Sequence, residues 1–242
     1  MRGVFVTGTD TGVGKTVLAA AICTALAARG ERVAAFKPAV TGLEEDPGDW
    51  PHDHELLASA ASAGQAPEDV APYRFGPAAS PHLAAAVAGV EIDPWRMLEL
   101  AARAGAVADA LVVEGVGGLM VPLSVDYLVR DLASALSLPV VVAARPGLGT
   151  INHTLLTLEA ARGAGLEVVQ VVLTPWPARP SELEVSNRTT IERVSGIPVA
   201  GLPATRPASL LEAAGALPLA DLLALTEPAP IADSEVGLLP SA

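Results

Sequence analysis

The chain has 242 residues, of which 51% are apolar and only 3% aromatic, and its formal net charge at pH 7 is −12. This length suits a single α/β domain with a sizeable core, which Ala, Val and Leu must fill in place of aromatic rings. The acidic balance, and the lack of any run among the 15 Lys and Arg residues, exclude a nucleic-acid binder and favour small-molecule partners.

Short β-branched runs alternate with Ala- and Leu-rich stretches, a pattern typical of βαβ units and a parallel sheet. The strand candidates are almost wholly apolar, as strands covered on both faces must be. The predicted strands are Val4–Thr7, Val33–Lys37, Ala110–Glu114, Val140–Ala143, Val168–Leu173 and Pro198–Gly201. The predicted helices are Lys15–Ala28, His54–Ala63, Pro81–Val87, Pro94–Ala106, Val129–Leu136, Ile151–Gly163, Ser181–Val194 and Ala213–Leu225. We expect one α/β domain over residues 1–225 and a flexible tail over 226–242.

The first strand and helix also bear on location. Residues 1–3 lead directly into the first strand, without the regions of a signal peptide. The longest apolar stretch, Val17–Ala28, is shorter than the roughly 20 residues of a spanning helix. It contains Cys23, which is the only cysteine, so an internal disulfide and a cysteine-based zinc cluster are excluded, and we expect Cys23 to be a core residue. These features predict a cytoplasmic protein with no membrane partner.

A phosphate-loop candidate, Gly8–Thr16, lies between the first predicted strand and helix, which is the context such a loop requires. Lys15 is expected to reach the β- and γ-phosphates and the Thr16 hydroxyl to bind Mg²⁺, while backbone N–H groups surround the phosphate oxygens. Thr9 stands where the strict pattern has Gly, and an ordinary Gly-rich turn is the alternative interpretation. The residues expected at the phosphates are Gly12, Val13, Gly14, Lys15, Thr16 and Val17.

One position in this loop separates classes of nucleotide-binding proteins. Partition and nitrogenase-type ATPases carry a signature Lys early in the loop, where this chain has Asp10. A carboxylate cannot replace that cation, so this class is disfavoured. Kinases and GTPases remain open on the loop alone.

Three further polar residues are expected near the same edge of the sheet, where ligands bind in such folds. Lys37 ends the second strand, with a snorkelling surface Lys as the alternative. In the loop His52-Asp53-His54-Glu55, only Asp53 suits a magnesium site, although it could also cap the next helix; both histidines are expected to face solvent. Glu114 ends an apolar strand before a Gly-rich turn, the place where a Walker B acid meets the metal.

Two helix starts are less specific. Ser80-Pro81-His82 is explained by an ordinary helix start, with Ser80 as N-cap and Pro81 as the first helical residue. Asn152 follows the fourth strand and opens a helix, so it is expected near the same sheet edge; a plain capping role is the alternative.

Taken together, these motifs resemble the dethiobiotin synthetase family, in order and spacing, up to about position 155. The motifs are Gly8–Thr16, Lys37-Pro38 with Thr41-Gly42, Asp53, Ser80-Pro81-His82, Val113-Glu114-Gly115 with Gly117-Gly118, and Leu148–His153. The resemblance implies a P-loop NTPase-like parallel sheet with helices on both faces. It also implies a homodimer that converts 7,8-diaminononanoate, CO₂ or bicarbonate, and ATP into dethiobiotin, ADP and phosphate through a carbamate and a carbamic-phosphoric anhydride.

The resemblance also assigns roles. It implies catalytic roles for Lys37, Lys15 and Thr11; Mg²⁺ ligands at Thr16, Asp53 and Glu114; further nucleotide contacts at Gly115, Val116 and Gly117; and substrate contacts at Thr41, Gly118 and Asn152. Where many members have an Asn-Asp pair that reads adenine, this chain has Thr174-Pro175, so other nucleoside triphosphates are expected to serve as well. Pro203, Ala204 and Thr205 are placed on the other side of the base.

Two other classes of protein share parts of this pattern. Amidotransferase-type synthetases, such as the cobyrinate a,c-diamide synthases, share the N-terminal P-loop domain but need a glutaminase domain with a nucleophilic Cys, for which this length leaves no room. A non-enzymatic partition protein would need the signature Lys that Asp10 replaces.

Overall fold

A computed structural model describes residues 2–218 of the chain. The strands are β1 (Gly3–Gly8), β2 (Val33–Phe36), β3 (Ala39–Val40), β4 (Tyr73–Arg74), β5 (Ala110–Glu114), β6 (Pro122–Ser124), β7 (Tyr127–Leu128), β8 (Val140–Ala144), β9 (Val168–Trp176) and β10 (Val199–Pro203). The α-helices are α1 (Lys15–Ala28), α2 (Asp53–Ala60), α3 (Pro67–Val70), α4 (Pro81–Ala88), α5 (Pro94–Ala106), α6 (Val129–Leu136), α7 (Thr150–Gly163), α8 (Glu182–Ser195) and α9 (Leu210–Ala214).

Six strands form one parallel sheet in the order β10, β9, β8, β1, β5, β2. Each overlaps one of the predicted apolar runs, so the parallel α/β fold is confirmed. The pairs β3–β4 and β6–β7 were not predicted, because segments of two or three residues carry no periodic signal. In residues 2–218 no helix is both long and apolar enough to cross a membrane.

Helices cover both faces of the sheet, and alternate side chains of the strands pack against opposite layers. Val4 and Val6 belong to a core shared with α1, α2 and α9, whereas Phe5 belongs to the core under α5 to α8. Cys23 is fully buried, as predicted, and burial raises the pKa of its thiol to about 12. Its role is therefore packing.

Some boundaries differ from the predictions. Helix α2 ends at Ala60 instead of Ala63, because the N–H groups of Ser62 and Ala63 donate to the Val33 carbonyl of β2, at 3.0 and 2.8 Å. Strand β9 continues to Trp176 instead of ending at Leu173, because its pairing with β10 continues to that residue.

The last predicted helix is also wrong in its bounds. Helix α9 starts earlier, after a 3₁₀ turn at Pro207–Ser209, and ends before Gly215, a residue with low helix propensity. Residues 219–225 of the predicted helix and the predicted tail, 226–242, lie outside the described residues.

Candidate active site

The register of the sheet brings polar residues of distant segments to one edge. Phe36 of β2 pairs with Val113 of β5, so Lys37 and Glu114 follow one residue later on neighbouring strands. On the other side of β5, Val6 of β1 pairs with Glu114, two residues before β1 ends at the phosphate loop. Parallel strands thus deliver a cation, a carboxylate and the loop to the same place.

Lys37 lies at the centre of this group. Its Nζ donates to Glu114 Oε1 at 2.5 Å and to Asp53 Oδ2 at 2.9 Å, and its side chain is almost fully buried. Thr16 Oγ1 donates to the same Glu114 oxygen at 2.9 Å. A snorkelling surface position for Lys37 is therefore excluded, and α1, α2, β2 and β5 are tied together at the site.

The pKa values in this group reflect burial against close opposite charge. Burial by itself lowers the pKa of Lys37, but Asp53 and Glu114 outweigh it and raise that pKa above its ordinary value. Burial favours a raised pKa for Asp53, yet the Lys37 ammonium lowers it overall. Burial raises the pKa of Glu114 in spite of Lys37. For Lys15, burial and then the Lys37 charge lower the pKa to about 8.

The donors present fit a magnesium ion. Glu114 Oε2 is inaccessible to solvent and has no hydrogen-bond partner among residues 2–218, which leaves a buried oxygen for a cation. The Thr16 hydroxyl and the half-exposed Asp53 carboxylate lie beside it. Within the described residues no three His, Cys, Asp or Glu form a metal cluster, and Mg²⁺ needs only one or two carboxylates when phosphates complete its shell.

Asp53 does not cap helix α2. The helix begins at Asp53 itself, His52 occupies the capping position, and the His52 N–H donates to Glu55 at 3.0 Å. The expectation that both histidines face solvent is wrong for His54, which is 7% exposed. Its position three residues before the buried Leu57 places it on the inner face of the helix.

The phosphate loop packs against strand β9. Gly14 has φ 88°, a conformation that favours glycine, and a β-carbon there would lie 2.8 Å from Cγ2 of Thr174. Lys15 Nζ donates to the Asp10 carbonyl at 2.8 Å. The lysine is thus directed back over its own loop, where the phosphate site is predicted.

Arg145 was not predicted as part of this region. It follows β8, and its Nη2 donates to the Thr11 carbonyl at 3.0 Å and to Asp10 Oδ2 at 3.4 Å. Asp10 Oδ1 also accepts the Thr11 N–H at 2.7 Å. The carboxylate at the signature-Lys position is therefore offset by an arginine of the same chain.

A cavity of about 680 Å³ opens at this edge of the sheet. Its wall includes residues not predicted for the site, among them Glu45, Ala78 and Val121, as well as Ser80, which the sequence left as a capping residue. The predicted site residues in the wall are Thr11, Gly12, Gly14, Lys15, Thr16, Lys37, Thr41, Asp53, Glu114, Val116 and Gly117.

Other predicted site residues lie elsewhere. Val13 and Val17 pack against the core on the α1 face, so only their backbone groups are available to a ligand. Gly115 is buried and Gly118 lines a neighbouring cavity of about 600 Å³. Thr174 is buried beside Gly14, and Pro175 is exposed, both within β9. A separate cavity of about 490 Å³ is lined by Pro203, Ala204 and Thr205.

Asn152 lies outside the cavity. Helix α7 begins at Thr150 with Gly149 in the capping position, so Asn152 lies within the first turn and the capping alternative is wrong. Its side chain is exposed and makes no hydrogen bond within residues 2–218.

Known proteins similar to this chain point to one enzyme family. A family model described as an AAA domain matches residues 2–206. The ATP-dependent dethiobiotin synthetase BioD of Bacillus subtilis (strain 168) is 37% identical over 202 residues, which cover 84% of this chain and 87% of that protein. The chain belongs to the dethiobiotin synthetase family. The BioD of Anaeromyxobacter dehalogenans (strain 2CP-1 / ATCC BAA-258) is 48% identical over 173 residues, covering 72% of this chain and 76% of that protein.

Solved structures with the same fold include more distant proteins. The MinC:MinD cell division protein complex of Aquifex aeolicus has a TM-score of 0.56 and 15% identity, covering 96% of this chain and 98% of that one. A ParA family ATPase of Chlorobium tepidum TLS has a TM-score of 0.52 and 17% identity, covering 92% and 94%. The chain thus shares its P-loop NTPase-like α/β fold with these proteins.

Proposed function

We propose that this chain closes the ureido ring of dethiobiotin from 7,8-diaminononanoate, CO₂ and ATP, a late step of biotin biosynthesis in the cytoplasm. The observation that carries the proposal is the convergence of Lys15, Lys37, Thr16, Asp53 and Glu114 on one cavity. These are the groups that phosphoryl transfer to an anionic acceptor needs, and family membership names the acceptor. The enzyme is an ATP-dependent ligase.

The reaction proceeds in three steps. One substrate amine attacks CO₂, forms a C–N bond and loses a proton, which gives a carbamate. A carbamate oxygen attacks the γ-phosphorus of ATP, and the bond to the β-phosphate oxygen breaks, so ADP leaves and a carbamic-phosphoric anhydride remains. The second amine attacks the carbonyl carbon of this anhydride, phosphate leaves, and the nitrogen releases a proton as the ring closes.

Lys15 and Lys37 reduce the repulsion between the carbamate and the triphosphate, since both bring ammonium groups to the cavity wall. Backbone N–H groups from Gly12 to Val17 orient the phosphates, while the Thr11 and Thr41 hydroxyls and the Gly118 backbone contact the substrate. This chemistry depends on positioning and charge stabilisation, and it needs no covalent intermediate on the protein.

Thr16, Asp53 and Glu114 would hold Mg²⁺, with the turn at Gly115, Val116 and Gly117 beside the phosphates. When bound, the ion offsets negative charge on the β- and γ-phosphate oxygens. Glu114 Oε2, which is buried and has no hydrogen-bond partner in residues 2–218, supports this assignment.

Weak selection of the base is the expected result of the Thr174-Pro175 pair. Neither residue is a bidentate amide reader, and Pro203, Ala204 and Thr205, which line a separate cavity, offer one hydroxyl and backbone groups. Bidentate contacts to a base are worth about 1–3 kcal/mol, so discrimination between triphosphates should fall by about that amount.

The test is product analysis by mass spectrometry with diaminononanoate, bicarbonate and ATP, CTP or GTP in turn. Dethiobiotin formed with all three at comparable kcat/KM supports both the activity and the open base site. A preference for ATP beyond about a thousandfold would show that another group reads adenine, and no dethiobiotin with any nucleotide would refute the proposed function.

A homodimer is also part of the proposal, with Asn152 of one chain completing the substrate pocket of the other. The motivation is that Asn152 is exposed, and neither caps its helix nor lines the cavity of its own chain. Its amide N–H groups suit the carboxylate tail of diaminononanoate. Two-fold symmetry then makes two equivalent pockets.

Mixed dimers test the shared pocket. In a dimer of one Asn152→Ala chain and one Lys15→Ala chain, one pocket carries both defects and the other carries neither. About half of the activity of a wild-type dimer should therefore return, although each variant is weak as a homodimer. Steady-state rates of purified, doubly tagged heterodimers give the measurement, and an absence of recovery contradicts the shared pocket.

A further inference from the structure

The cavity wall contains a carboxylate that the proposed reaction does not yet use. We propose that Glu45 binds an ammonium group of the diamine substrate and accepts its proton before ring closure. This inference rests on the proposed function and adds to it the residue that distinguishes a diamine from a monoamine.

Glu45 is placed at the mouth of the site. It lines the main cavity together with Thr41 and Gly42, and it also lines an adjoining cavity of about 230 Å³. Its Oε2 lies 3.8 Å from the position that a β-carbon on Gly42 would occupy. The carboxylate thus lies over the turn that follows Thr41, on the same cavity wall as Asp53.

The backbone around Glu45 is held in place. The Glu45 N–H donates to the Gly42 carbonyl at 3.1 Å, and the Gly42 N–H donates to the Pro77 carbonyl at 3.0 Å. The neighbouring Glu44 N–H donates to the Gly76 carbonyl at 3.1 Å. These bonds attach the turn to the segment after β4, so the Glu45 side chain starts from a fixed point at the rim.

The charges of the wall single out Glu45. Within residues 2–218, three carboxylates line the main cavity, and two of them, Asp53 and Glu114, already pair with Lys37. Over residues 2–218, Glu45 forms no ion pair. The other lysine of the wall, Lys15, donates to a backbone carbonyl. Glu45 is therefore the wall carboxylate that a cationic ligand can engage without displacing a lysine.

The substrate supplies such a cation. Its two amines lie on adjacent carbons, so protonation of one disfavours protonation of the other, and near neutral pH one amine is neutral while one is an ammonium. The neutral amine can attack CO₂ at once. The ammonium has no lone pair and cannot attack the anhydride until it loses a proton.

Glu45 can both bind the ammonium and remove its proton. Its carboxylate first accepts a charge-assisted N–H hydrogen bond from the ammonium, which orients that nitrogen towards the cavity. An N–H bond then breaks, the proton moves to the Glu45 carboxylate and the electron pair remains on nitrogen, which attacks the carbonyl carbon of the anhydride. Because Glu45 is exposed at the rim, it returns the proton to solvent after each turnover.

The test compares Glu45→Gln with Glu44→Gln, a matched control at an exposed neighbour that does not line the cavity. Loss of a charge-assisted contact should raise the KM for diaminononanoate about tenfold or more and lower kcat, with the KM for ATP unchanged. Glu45→Asp should recover part of the loss, and Glu44→Gln should behave like the wild type.

Calorimetric binding of diaminononanoate and of a nine-carbon acid with one amine provides a readout independent of turnover. The wild type should bind the diamine more tightly than the monoamine. In Glu45→Gln the ratio of the two dissociation constants should fall about tenfold. Unchanged diamine affinity in Glu45→Gln, or an equal loss in Glu44→Gln, overturns the inference. Failure of the proposed function is distinguishable, since the wild type itself would then form no dethiobiotin.

Discussion

Lys37→Ala is expected to reduce the rate of dethiobiotin formation by at least about a hundredfold, because one ammonium at the reacting charges is lost. The same change should lower the free energy of unfolding by about 3–5 kcal/mol, since it leaves the buried Glu114 and its neighbour Asp53 without their shared cation. The buried ion pairs therefore give Lys37 a structural role beside its proposed catalytic one.

Product formation measured by mass spectrometry and urea unfolding of the magnesium-free protein give the two quantities separately. The double variant Lys37→Ala/Glu114→Gln serves as the control for stability, because it also removes a carboxylate charge. It should recover part of the lost unfolding free energy and none of the rate. Near-normal turnover of folded Lys37→Ala would contradict the assigned role.

Glu114→Gln should raise the Mg²⁺ concentration needed for half-maximal activity by at least about ten- to a hundredfold. Mutation of residues that only hydrogen-bond to a metal ligand already lowers metal affinity by about this factor, and loss of a direct ligand should cost no less. The amide keeps the size of the side chain but removes the charge and one of the two acceptor oxygens. Glu114 is 1% exposed, so solvent cannot substitute for it.

Activity titrated with Mg²⁺ at fixed ATP measures the effect, and Mn²⁺ binding followed by electron paramagnetic resonance measures it without turnover. Glu99→Gln is the matched control, since Glu99 is exposed on α5 and pairs only with Arg96 and Arg103 within residues 2–218. An unchanged magnesium requirement in Glu114→Gln would remove Glu114 from the ligand set.

Much of the fold and part of the site could be predicted from local patterns. Strands buried on both faces are nearly pure apolar runs, so β1, β2, β5 and β8 were found close to their true bounds. Lys37 and Glu114 end two of these runs. Because a buried charge without a partner is costly, each must contact a ligand or the other residue. Their direct contact follows from the β2–β5 register, which no single segment encodes.

The remaining features depend on contacts between distant parts of the chain. Arg145 donates a hydrogen bond to Asp10, which lies 135 residues earlier in the chain, and no local sequence pattern predicts this contact. Asp53 had two acceptable local interpretations. The N-cap position of His52 rules out the capping one, and the contact with Lys37 places the Asp53 carboxylate in the site. Glu45 sits among exposed acids in a loop, where composition indicates a solvated surface and only the cavity shows which carboxylate faces the site.

The contact between Gly14 and Thr174 limits how this enzyme can change its nucleotide. An asparagine at position 174 would restore an amide, yet it would need room where the loop backbone already lies against the threonine methyl group. Under the proposed nucleotide assignment, a gain in base selectivity would come with displacement of the loop proposed to bind the phosphates. Mutation of Thr174 alone therefore cannot improve base selectivity without affecting phosphate binding. Substitutions at Ala204 and Thr205, which line a separate cavity and are less buried than Thr174, are the alternative route to stricter use of ATP.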